Sequence, residues 1–331
     1  MAEGDVSVAS GHPALPMQTT SPSWHAAAQA QTPAMQQRRP PPPKTPAAPA
    51  PIASPKPPSS QRRPPLPGRP VGPPSDPLQQ HDLRREAAVA VAQAAGHLQG
   101  TVVVEAGAGT GMLSAALLNE GAKVFASERD PQRVAALRTR FADAIDEGIF
   151  DLHAGDALTQ RLPDGHWLAV ANPPFSLTAV LLKRWLLAAN NPPSGITLVL
   201  QREAARKLCG GDVGGHSRSS ALLAAAGTAR VVLRLPRDAT EPSSRVDLSV
   251  WCWRERQGGA TGEELRKLDR LLERAFAGPH TVADALHGIA TKIQLRRQGA
   301  ELGWDPQAHP RTLTPAAWRS LAALLAHCGK L

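Results

Sequence analysis

The chain has 331 residues and a formal net charge of +9, and 21 of its 33 prolines fall within the first 77 positions. Proline at that density, without a Gly-X-Y repeat, cannot build helices or sheets, which excludes one large globule spanning the whole sequence. No run approaches the ~18 apolar residues of a membrane span, and no basic stretch followed by an apolar one opens the chain, so neither a bilayer helix nor a secretory signal is expected.

Residues 1–77 are predicted to be a disordered, basic, proline-rich tail, with runs at Pro40–Pro43, Pro57-Pro58 and Pro64-Pro65. Seven Lys/Arg against three Asp/Glu put +4 on this segment and leave +5 on the remainder. Such an excess suits a polyanionic partner, although enzymes of neutral substrates carry as much. After Pro77 the pattern changes. A helix is predicted over 82–98, a β-branched strand over Thr101–Glu105 and a helix over Met112–Asn119. A second strand (Lys123–Ser127) leads to a helix over Pro131–Ile145 that opens on proline. Strands follow at Ile149–His153 and Trp167–Ala171, then an apolar helix over Leu177–Ala189 and a strand at Ile196–Leu200. Two late runs, Ala229–Leu235 and Val246–Trp253, suggest an antiparallel pair, and from Thr261 onward only helical pattern remains. The fold class is therefore α/β: a Rossmann-like sheet over 78–257 and a small all-helical domain over 258–331. Cys209, Cys252 and Cys328 have no metal-ligand or redox spacing, so buried thiols in a reducing cytoplasm are expected, with no metal site and a monomeric chain.

Four motifs carry chemistry. Glu105-Ala-Gly107-Ala-Gly109-Thr-Gly111 follows a strand and opens a helix. Its spacing is not the dinucleotide GxGxxG but the ExGxGxG form expected of S-adenosylmethionine enzymes, whose cofactor has no phosphate to cradle. An acid at the strand end suits the cofactor's ammonium group; a tight turn without ligand is the alternative. Glu128 ends the second strand, where a carboxylate can accept hydrogen bonds from ribose hydroxyls, with Asp130 beside it as a second candidate. Asp156, after the third strand, can accept from an adenine amine or simply stabilise a turn. Asn172-Pro173-Pro174-Phe175, at the end of the fourth strand, bears on the reaction class. A planar amine is a poor nucleophile because its lone pair is delocalised. The Asn172 side-chain oxygen and the Pro173 carbonyl can each accept one of its N–H bonds, while Phe175 offers a face for stacking a base.

Val104–Ser114, Glu128, Gly155-Asp156 and Asn172–Phe175, in that order, resemble the ribosomal RNA adenine N6-methyltransferases. The resemblance continues through Gln201–Leu208 and Pro242–Val250 and runs from about Leu78 to the end. It implies methyl transfer from S-adenosylmethionine to an rRNA adenine that is single-stranded or flipped out. It also implies a cofactor contact from Gln80 in Gln80-His81-Asp82-Leu83, where the family carries an aromatic in place of Asp82. Ala171 is a second departure, since glycine commonly precedes the asparagine. Asn-Pro-Pro-Phe-Ser-Leu-Thr and Gln201–Cys209 look like the Erm-type branch, which acts on 23S rRNA and confers macrolide, lincosamide and streptogramin B resistance. The small-subunit (16S) dimethyltransferases are the alternative; a protein glutamine methyltransferase and a non-catalytic RNA-binding relative stand further off. Arg202, Arg206, Lys207, Arg218, Arg245, Arg296 and Arg297 are candidate phosphate contacts or solvated surface charges.

Overall fold

Near-continuous apolar strands, such as Val102-Val103-Val104 and Trp167–Ala171, read as strands buried on both faces, and the helices between them supply the cover. The computed structural model describes residues 81–187, 191–210, 215–278 and 281–331; the tail and Gln80 lie outside the described residues. In chain order the elements are β1 (Asp82–Leu83), α1 (Arg85–Ala94), β2 (Val102–Ala106), α2 (Met112–Asn119), β3 (Lys123–Glu128), α3 (Pro131–Arg140), α4 (Ala142–Asp146), β4 (Phe150–Ala154), β5 (Trp167–Ala171) and α5 (Thr178–Leu187). They continue as β6 (Gly195–Gln201), α6 (Arg202–Cys209), α7 (Arg218–Ala226), β7 (Gly227–Leu235), β8 (Thr240–Glu241), β9 (Leu248–Glu255), α8 (Gly262–Ala275), α9 (Val282–Ala285), α10 (Lys292–Leu302) and α11 (Pro315–His327).

Seven strands form one sheet in the order β4-β3-β2-β5-β6-β9-β7. The first five run parallel, and β9 is antiparallel to both β6 and β7. Chain order reverses between β2 and β5, so a crevice opens there at the carboxyl ends of the strands, where open α/β sheets bind ligands. β1 and β8 form a separate two-stranded ribbon, with Asp82 opposite Glu241 and Leu83 opposite Thr240. This ribbon explains why the first helix begins at Arg85 rather than at Asp82. The helix expected over Pro131–Ile145 breaks at Phe141 (φ −112°, ψ 26°), whose ring packs 4.6 Å from that of Phe150. Helices α6 and α7 were not anticipated; both are short, and half of the residues of α6 are charged.

The core on one face of the sheet, including Trp251 and Trp253, continues through α5 and α7 to Leu268, Leu272, Trp318 and Leu321 of α8 and α11. Asp269 of α8 is buried at this junction, accepting from Lys183 of α5 (3.0 Å) and Arg218 of α7 (2.7 Å). Arg218 also reaches Glu273 (3.0 Å), so its guanidinium, a candidate for RNA, is engaged in joining α7 to α8. The expectation of three buried thiols is corrected: Cys252 is buried, but Cys209 is half-buried and Cys328 is exposed. Cys328 caps the end of α11, past that helix's buried face. No described helix is long and apolar enough to cross a membrane.

Removing Asp269 leaves two cations without their shared carboxylate. Asp269→Ala is expected to lower folding stability by about 2 kcal/mol, the scale of a lost charge-assisted hydrogen bond, measurable by urea denaturation.

Candidate active site

The glycine turn after β2 is built from backbone that side chains rarely adopt: Gly107, Gly109 and Gly111 have φ of 77°, 58° and 78°. A Cβ on Gly107 would project into the open crevice with no heavy atom within 4 Å, whereas one on Gly111 would lie 2.7 Å from the Leu137 and Phe141 side chains. Gly107 therefore lines the crevice, and Gly111 sits behind it as the N-cap of α2. The turn is fastened to β3. The Ser127 carbonyl accepts from the N–H groups of Gly107 (3.0 Å) and Ala108 (2.9 Å).

Glu128 closes the same turn. Its Oε2 accepts from the Gly109 N–H (2.9 Å), and its Oε1 accepts from the N–H groups of Arg129 and Asp130 (2.9 Å each). Asp130 instead caps α3, accepting from Gln132 (2.8 Å) and Arg133 (3.3 Å). Of the two neighbouring acids, Glu128 is thus the one facing the crevice. Glu105 is buried at the end of β2, with Ser114 Oγ donating to its Oε2 at 2.6 Å. Burial pushes its pKa up to about 8, with the nearby Glu128 adding to the rise and the Ser114 hydrogen bond opposing it. Asp156 lies on the rim, and its Oδ1 accepts from the Leu158 N–H (2.9 Å), so it stabilises its own turn while lining the crevice.

Asn172 follows β5 directly. Its Nδ2 donates to the His81 carbonyl (2.7 Å), which fixes the amide orientation, because a carbonyl can only accept. Pro173 is buried, and Phe175 opens a single 3₁₀ turn over Phe175–Leu177, half-buried at the crevice wall. Glu105, Gly107, Gly109, Glu128, Asp156, Asn172, Pro173 and Phe175 line one crevice; Gln80 lies outside the described residues.

Among the lining residues given no role of their own by the sequence are His81, Asp82 and Arg133. Arg133 of α3 donates to both Asp82 oxygens (2.9 and 3.1 Å), and the Thr110 N–H approaches Asp82 Oδ1 at 3.4 Å. A Cβ on Gly109 would overlap that carboxylate. The acid at an aromatic position is a legible signal, but its partner is 51 residues away and carries no motif.

Known proteins resemble this chain in sequence and fold. Residues 84–291 match the family described as ribosomal RNA adenine dimethylase. The chain belongs to that family. It is an rRNA adenine methyltransferase that uses S-adenosylmethionine. It is 32% identical over 244 residues to the ribosomal RNA small subunit methyltransferase A of Novosphingobium aromaticivorans, covering 71% of this chain and 86% of that protein. It is 30% identical over 235 residues to the mycinamicin-resistance protein MyrB of Micromonospora griseorubida, covering 69% of this chain and 71% of that one. The crystal structure of the 23S rRNA methyltransferase ErmE shares the fold, with a TM-score of 0.59 at 24% identity over 74% of this chain and 99% of that structure.

The crevice fits the cofactor of this family: an open glycine turn stands beside two acids at strand ends, Glu128 and Glu105, and burial together with the nearby Glu128 raises the pKa of Glu105. A carboxyl with a raised folded pKa contributes stability that is complete below its ordinary value near 4.5 and is lost as pH rises through about 8. Glu105→Gln is therefore expected to match the wild type near pH 4.5 and to become relatively more stable by pH 8. Urea midpoints across that range measure the difference; parallel profiles would show that Glu105 does not hold its proton.

Proposed function

We propose that this enzyme transfers methyl groups to N6 of an adenine in 23S rRNA, giving resistance to macrolides, lincosamides and streptogramin B. The observation that carries the adenine chemistry is the Asn172 amide. With Nδ2 held by His81, Oδ1 is the atom left to accept an N–H of the target amine, and among the described residues no donor pairs with it. The Pro173 carbonyl accepts the second N–H, which turns the nitrogen lone pair out of conjugation, and Phe175 stacks on the flipped base. Bound S-adenosylmethionine supplies an electrophilic methyl group on a sulfonium. Glu105, Gly107, Gly109, Glu128 and Asp156 hold the cofactor, with Gly111 starting the helix behind the turn; the contact from Gln80 rests on the family resemblance. A carboxylate offers roughly four acceptor directions; three on Glu128 are taken by backbone N–H groups, and the remaining one serves a ribose hydroxyl. Positioning does most of the catalytic work, because the proton leaves only after attack, from a cationic nitrogen. Residues 258–331 serve RNA recognition, with Arg296 and Arg297 exposed on α10.

Support for the 23S branch comes from the Asn-Pro-Pro-Phe-Ser-Leu-Thr sequence and the likeness to MyrB. The likeness to small-subunit methyltransferases at 31–32% identity favours a second reading, 16S dimethylation. Labelled cofactor incubated with protein-free 23S and 16S RNA, followed by mapping, separates them: label in 23S is expected, and label in 16S alone would overturn the choice. Asn172→Ala is expected to reduce methylation at least ~100-fold, the scale of lost near-attack positioning, with cofactor affinity unchanged by calorimetry. Glu128→Ala should instead weaken cofactor binding.

A further inference from the structure

His81 and Asp82 enter the crevice from the start of the described chain, and Asp82 opens a ribbon only two residue pairs long. The His81 main-chain carbonyl holds Asn172 Nδ2 at 2.7 Å. The imidazole is itself anchored: its Nδ1–H donates to the Pro242 carbonyl at 2.9 Å, an oxygen that also accepts from Thr240 Oγ1 at 2.9 Å. That carbonyl can only accept, so the imidazole carries its proton on Nδ1. On the other side, Asp82 is clamped by both guanidinium nitrogens of Arg133. The peptide joining His81 to Asp82 is therefore held by a side chain at each end, and the carbonyl between those anchors is the one that orients Asn172.

We propose that His81 is a positioning residue for methyl transfer: its imidazole, hung on Pro242, fixes the carbonyl that aims the acceptor oxygen of Asn172. The inference rests on the reading of Asn172 as the acceptor of the target amine. It also gives a task to the Pro242–Val250 stretch, which lies far from the crevice in sequence and supplies the anchor through β8. The relevant chemistry is a single donated hydrogen bond. An asparagine places an N–H donor near the position of Nδ1, a leucine supplies no donor, and an aspartate presents an oxygen to an oxygen.

The test uses the full-length enzyme with labelled S-adenosylmethionine and protein-free total ribosomal RNA, alongside cofactor affinity by calorimetry. His81→Leu is expected to lower kcat about tenfold, a modest share of what misplacement can cost, while cofactor affinity and KM for RNA stay within about twofold of wild type. His81→Asn should restore kcat to within about twofold of wild type, and His81→Asp should not. Wild-type kcat in His81→Leu would overturn the proposal, and so would a loss carried by KM or cofactor affinity. If His81→Leu does not fold, the Asn and Asp variants decide, and equal kcat in those two overturns the proposal. Asn172→Ala is run in parallel: activity there sinks the reading of Asn172, whereas an inactive Asn172→Ala beside an unaffected His81→Leu sinks only the role of His81.

Discussion

The crevice depends on one carboxylate. Glu128 gathers three backbone N–H groups, from Gly109, Arg129 and Asp130, and so ties the end of β3 to the glycine turn that follows β2. These turn residues have no helix or ladder to satisfy their donors, and a carboxylate is the strongest acceptor a side chain can offer them. The same charge stands close to buried Glu105 and adds to the desolvation that keeps that acid protonated. Two glutamates at adjacent strand ends thus differ in kind. One meets a fan of backbone donors; the other meets a single serine hydroxyl and complete burial.

The opposite wall is assembled from distant pieces of chain. The Asn-Pro-Pro-Phe segment leaves β5 directly, so its place follows from the sheet. The orientation of the Asn172 amide does not. It is set by a carbonyl 91 residues earlier, which is reached only because β1 pairs with β8 and the Arg133 guanidinium holds Asp82. An aromatic residue at position 82 would pack by area; the aspartate found there substitutes a bidentate ion pair, a directional contact that needs its partner in register.

The C-terminal helices are fixed to the sheet by apolar packing continuous through α5 and α7, with the Lys183, Arg218 and Asp269 cluster at the seam. This arrangement fits the proposed role of these helices in RNA recognition, because packing continuous across the junction holds them against the sheet. It also draws on the basic residues that a count of charges assigns to RNA: Arg218 joins two helices, and Arg202 pairs with Asp247 at 3.4 Å.

By itself the amino-acid order determined the alternation of strands and helices, the glycine turn, the acids at the strand ends and Asn172–Phe175. Each is local: strand burial shows as apolar runs, left-handed turns demand glycine, and the candidate groups at strand ends directly follow those runs. Helices α6 and α7 were not legible because α6 buries only Ala205 and so shows no apolar stripe, and α7 runs straight into β7 without a break. The β1–β8 ribbon offered only two residues on each strand. Tertiary structure alone decided which of Glu128 and Asp130 faces the crevice, that Gly111 stands behind the turn, and that His81, Asp82 and Arg133 belong to the site. The physical reason is the same in each case. A hydrogen bond or ion pair between residues tens of positions apart leaves no periodic trace in the chain, and becomes determinate only when the sheet has brought its donors and acceptors to within about 3 Å.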